Sequence, residues 1–180
     1  MRPLLTASLF LLLSTSALAA DPKIEHLTAS ANGHQVSVRF SLSHLFDREE
    51  LLQALQSGAP TGITYVVEIY HDRPNWFDEG IARTRLEIIA TFNSVTREYL
   101  LNYRRDRRLV RSEVFSDLAA LEHRMTTIDE PSLFDIGHRR PYKLKVRAKA
   151  DLSRGWLLYF IPWDVSTRWR EARVSGTELQ

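Results

Sequence analysis

The chain reads as a mainly β protein, an antiparallel β-sandwich of immunoglobulin-like type with two short helical insertions. Two observations predict this. Apolar residues recur at every second position through most of the chain after residue 20, the period of a strand with one buried face. Helical spacing is confined to two short stretches, with none of the strand-helix alternation that builds a parallel sheet. A barrel is the alternative architecture.

Ile24 to Ser30 and Gln35 to Leu42 are the first two strands; in the second, Val36, Val38, Phe40 and Leu42 alternate with Gln35, Ser37, Arg39 and Ser41. Asn32-Gly33 between them signals a hairpin turn, because both residues tolerate positive φ. Phe46 to Pro60 carries the first helix. Asp47 caps it, Glu50 completes a capping box, Phe46 and Leu51 form a staple, and Gly58 and Pro60 end it. Gly62 to Tyr70, Arg83 to Phe92, Thr96 to Arg104 and Leu109 to Phe115 are further strands, the last two a hairpin with Arg105-Asp106-Arg107 near its tip. The second helix runs from Asp117 to Thr127, where Leu118, Leu121, Met125 and Ile128 recur at helical spacing behind a Ser116 or Asp117 cap. Asp129-Glu130-Pro131 stops it. Tyr142 to Ala150 alternates strictly, Trp156 to Ile161 is continuously apolar, and Arg168 to Val174 is the final strand.

Residues 1–20 have the three zones of a secretory signal: a basic start at Arg2, an apolar run from Leu4 to Leu13, and small residues at Ala17 and Ala19. Cleavage is expected near Ala19 or Ala20, which places the chain in the periplasm or outside the cell. The apolar run is too short for a bilayer, so no transmembrane segment is expected after cleavage. The 180-residue chain has no cysteine, which excludes a lipoprotein signal and any disulfide. Residues 21–180 then form one domain, stabilised by burial alone. With Arg2 gone, 23 basic residues face 22 acidic ones, so nucleic acid is not the expected partner and any electrostatic function is local. The oligomeric state is left open.

Several segments carry a resemblance. LLQALQSGAP at 51–60, YVVEI at 65–69, RPNW at 73–76, TREY at 96–99 and VRA at 146–148 occur in an order that resembles the proteobacterial domain of unknown function 4390. The resemblance implies an exported single domain and brings no catalytic residue with it.

Lys143, Lys145, Arg147 and Lys149 lie on one face of the strand from Tyr142 to Ala150. At roughly 7 Å spacing they sit within a Debye length of about 8 Å and form a coupled row. Such a row suits an anionic envelope polymer, head-group phosphates or an acidic partner protein. The plainer readings are an edge strand guarded by lysines, or a row neutralised by Glu68 or Glu87. Arg104, Arg105, Arg107, Arg108 and Arg111 form a second cluster at the hairpin tip, where guanidiniums can fork onto phosphates or where Asp106, Glu98 and Glu113 partly neutralise them. Trp76 and Phe77, beside Asp78-Glu79, offer aromatic faces to a glycan. The six histidines show no ligand spacing and no nucleophile motif occurs, so neither metal nor cofactor is expected. Trp156 to Trp163 is either a core strand or an exposed partner patch.

The expectation is therefore an exported, non-catalytic binding or adaptor domain that contacts an envelope protein or anionic polymer. The alternatives are a glycan-acting hydrolase using the Trp76 to Glu79 loop and a structural or assembly protein.

Overall fold

Gly33, at φ +60°, turns the chain between β1 (Lys23–Asn32) and β2 (Gln35–Ser43), and the alternation of β2 buries Val36, Val38, Phe40 and Leu42 on one side. The computed structural model describes residues 20–73, 78–153 and 165–176. The signal-peptide zones, Trp76 with Phe77, and the Trp156 to Trp163 run all lie outside the described residues.

After β2 come α1 (Glu49–Gln56), β3 (Thr61–His71), β4 (Glu79–Asn93), β5 (Glu98–Arg105), β6 (Arg108–Phe115) and α2 (Leu118–Thr126). They are followed by β7 (Thr127–Asp135), a 3-10 turn (Pro141–Lys143), β8 (Leu144–Ser153), β9 (Val165–Ser166) and β10 (Arg170–Gly176). α2 is capped as expected, with the Asp117 carboxylate accepting from the Ala120 amide at 2.9 Å. α1 is not. Its cap position is Arg48, without a side-chain bond, and Asp47 instead bonds His44 Nδ1 at 2.7 Å. Gly58 ends α1 at φ +81°, where its amide donates to Leu55 O at 3.0 Å.

The described strands form one sheet rather than two facing ones. Its order is β6-β5-β4-β3-β8-β10-β1-β2-β7, with β9 pairing β8 off this path. All pairs are antiparallel except β1 with β10, which are parallel in the register Ala29 to Val174. A sandwich needs a gap in pairing between its layers. Here β10 pairs with both β8 and β1, so the two halves are stitched into a curled, half-barrel sheet whose inner face is the core. Ile63, Tyr65, Val67, Leu86, Ile88, Leu101 and Val146 line that face, and Leu121 and Met125 of α2 pack into it. Tyr65 donates its phenol to Met125 O at 2.9 Å, which ties the helix to the floor of the curl.

β7 and the two-residue β9 are the described strands absent from the sequence reading. Pro131, taken as a helix stop, sits on the outermost strand, where the register shifts between Val36 and Val38 of β2. A residue with no amide hydrogen is tolerated at such an irregularity on a sheet edge.

Candidate functional site

β8 lies in the middle of the sheet, with β3 on one side and β10 and β9 on the other, so it is not the guarded edge strand that its lysines suggested. Lys143 belongs to the preceding 3-10 turn. Lys145, Arg147 and Lys149 share the outer face, and Leu144, Val146, Ala148 and Ala150 are buried inside. A central strand has neighbours on both flanks, and these supply carboxylates. Arg147 meets Glu68 at 2.7 Å, Lys145 meets Asp72 at 3.1 Å, and Lys149 meets Asp151 at 2.9 Å. Arg83 also reaches Glu68 at 3.4 Å, and the register sets Glu171 opposite Arg147. The row Arg83, Glu68, Arg147, Glu171 therefore alternates in sign across four strands. Trp169 covers the row, its ring 4.8 Å from the Arg147 guanidinium and 5.6 Å from Lys149 Nζ. Burial pushes the Asp151 carboxyl up, but hydrogen bonds from Ser166 and Lys149 outweigh it and hold the group below its ordinary range. Of the two neutralising acids foreseen, Glu68 takes the role; Glu87 lies opposite Thr64 and Arg104.

The β5–β6 hairpin is different. Asp106 and Arg107 make its two-residue turn, both at positive φ (48° and 69°), which Asp accepts more readily than most residues. The Asp106 carboxylate does not neutralise the arginines. It accepts from Thr84 Oγ1 and the Arg85 amide, both at 2.9 Å, and so fastens the turn to β4. Arg105 and Arg111 face inward and converge on Glu130 of β7, which also accepts the Tyr103 phenol at 2.7 Å. Glu130 is only 5% exposed. Arg111 stacks over Tyr103 at 4.1 Å and pairs with Glu113 at 3.1 Å. This cluster holds the end strands β6 and β7 near each other without backbone pairing between them. Burial and the hydrogen bond to Glu130 hold the Tyr103 phenol well above its ordinary value, and burial does the same to Tyr65. Glu130 was missed because its acidic neighbours looked like a helix stop. The signal for it was Ile128 and Glu130 alternating on one face.

The outer side of the hairpin carries Arg104, Arg107 and Arg108, all exposed and forming no ion pair among the described residues. Beside them lie Leu109 (60% exposed), Val110 (52%), Val114 (61%) and Leu100 (42%). The structure thus splits the predicted arginine cluster into an inward pair that holds the fold and an outward trio that faces solvent.

At the opposite flank, a cavity of about 340 Å³ is lined by Glu68, Tyr70, Asp78, Ile81, Arg83 and Arg147, among others. Glu79 is ion-paired with Arg73, and Glu68 is held by two arginines. Burial and Glu171 raise the Tyr70 phenol, so it is protonated at neutral pH. His34 and His138, distant in sequence, pack edge to face with ring centres 5.3 Å apart.

The family described as "Domain of unknown function (DUF4390)" matches residues 19–172. No curated protein and no solved structure matches the chain significantly. Among the described residues no helix is long and apolar enough to cross a membrane.

Proposed function

The chain belongs to the DUF4390 family, and from that premise we propose that it is an exported, non-catalytic adaptor domain that contacts an anionic envelope component through the outer side of the β5–β6 hairpin. One contrast carries the reading. Lys145, Arg147 and Lys149 each have a carboxylate within 3.1 Å, whereas Arg104, Arg107 and Arg108 offer three exposed guanidiniums with none among the described residues. Guanidiniums with unused donors fork onto phosphate or carboxylate oxygens. The signal-like residues 1–20 support the export step. The hydrolase reading is the weaker, because Glu68 and Glu79 at the Asp78 flank are already bound by arginines.

The test is sedimentation of the processed protein with vesicles, one set containing anionic phospholipid and one purely zwitterionic. Binding is expected only to the anionic set, to weaken with added salt, and to fall about 100-fold or more in R104E/R107E/R108E, at about 1 kcal/mol per charge near an anionic surface. Salt-independent binding, or a triple variant that binds like the wild type, overturns the reading. Recovery of the tagged chain from the cytosol with residues 1–20 still attached overturns the export step.

A further inference from the structure

β6 ends the sheet path and, among the described residues, pairs only with β5. Its sequence from Leu109 to Phe115 is a chemical palindrome about Ser112: valine at 110 and 114, opposite charges at 111 and 113, a large apolar residue at 109 and 115. We propose that two copies of the chain associate through β6, antiparallel about a twofold axis at Ser112, so that one sheet runs through both.

In that register Val110 faces the partner's Val114, Arg111 faces the partner's Glu113, and Ser112 faces its own copy. Val110, Ser112 and Val114 are all exposed in the single chain, so their pairing removes apolar surface from water. Arg111 and Glu113 are already ion-paired within one chain at 3.1 Å, and the twofold axis joins two such pairs into a ring of alternating charge. The register is selected, not merely allowed. A slip by one residue opposes valines to charges, and a slip by two sets Arg111 against Arg111 or Glu113 against Glu113 on the axis. The exposed arginines also stay apart, because the antiparallel arrangement sends each hairpin tip toward the far end of its partner's strand. The ladder stops near Val110, where the β5–β6 register shifts.

The other end strand is built to refuse such a contact. β7 carries Pro131 within an irregular ladder and exposes Asp129 and Asp135. β6 has neither proline nor lysine. This dimer does not depend on the anion-contact reading, since Arg104, Arg107 and Arg108 take no part in the central pairs.

Five paired residues make a small interface of the weak, reversible class. Sedimentation equilibrium of the processed wild type, from about 1 to about 500 μM to cover that class, is expected to show a monomer–dimer equilibrium. V110K and V114E should each weaken self-association at least tenfold. An equimolar mixture should form a heterodimer, because the lysine of one then meets the glutamate of the other. The chain's lack of cysteine permits a direct second test. Directly opposed strand residues lie about 5 Å apart between Cα atoms, within disulfide reach, so Ser112→Cys should crosslink into a dimer on oxidation. Asn102→Cys loses the same Ser112–Asn102 hydrogen bond but sits one strand inward, and should not crosslink. Wild type that is monomeric throughout, equal crosslinking of the two cysteine variants, or a mixture that fails to restore association overturns the proposal.

Discussion

β8 and β6 have similar ingredients, basic residues interleaved with aliphatic ones, and opposite fates. β8 has strands on both flanks, which oppose Glu68 and Glu171 to Arg147; Asp72 and Asp151 serve the flanking lysines, and Trp169 roofs the row. Among the described residues β6 has only β5 beside it in the sheet. Its inward side chains find partners in Glu130 and Arg124, while its outer valines and the tip arginines find none among the described residues. The comparison teaches that charge on a strand is informative only once the strand's place in the sheet is known. A central row is neutralised by its neighbours, and an edge keeps what it exposes.

The hairpin itself divides into an anchored inner side and a free outer side, and the largest expected effect tests the anchor. Glu130→Ala would leave Arg105 and Arg111 partly buried beside an empty position, and removing one partner of a buried ion pair costs roughly 3 kcal/mol or more. Urea unfolding that shows a loss below about 1 kcal/mol would mean the two end strands are held by α2 alone.

Alkali probes the same inner side. Tyr65 and Tyr103 hold their protons above the ordinary tyrosine value, so the unfolded chain releases them first as pH rises. Their contribution is complete below about pH 10 and falls above it, by about 1.4 kcal/mol per pH unit for each phenol. Tyr70 is raised in the same way, so stability measured from pH 9 to 11 should bend downward past pH 10, and Tyr103→Phe should remove about a third of the slope. A flat profile would place these phenols in contact with water.

The smaller effects set centre against edge directly. Arg147→Ala should lower stability by about 1 kcal/mol, a modest figure because its guanidinium is partly solvated and Arg83 still attends Glu68. Arg104→Ala should change it by less than about 0.5 kcal/mol, as expected of an exposed side chain without a partner. Chemical denaturation of the pair measures the difference, and equal losses would erase the distinction between the two strands.

Local signals were the legible ones. Alternation located eight of the ten described strands, the Asn32-Gly33 turn and the Asp117 cap were readable from residue type, and Arg105-Asp106-Arg107 marked a true hairpin tip. Contacts between distant residues were not legible. Whether the strands made one layer or two depended on β10 pairing with β1, more than 140 residues away in the case of Ala29 and Val174. Glu130 on the inner face and Pro131 in the ladder contradict the usual composition of a strand, so β7 was hidden by the two residues that most define its role. The valines at 110 and 114 lie in a strand that was read correctly from Leu109 to Phe115, yet nothing local distinguishes a strand buried on both sides from one exposed on an edge.

The double pairing of β10 also orders events in time. Among the described residues it alone stitches β1, β2 and β7 to the other strands by backbone hydrogen bonds, and it is the last described strand to be synthesised. Until it arrives, the polypeptide holds two paired fragments, β1-β2-β7 and β6-β5-β4-β3-β8, with no backbone ladder between them among the described strands. On the export reading proposed above, such an order would leave the chain threadable until its last strand is made.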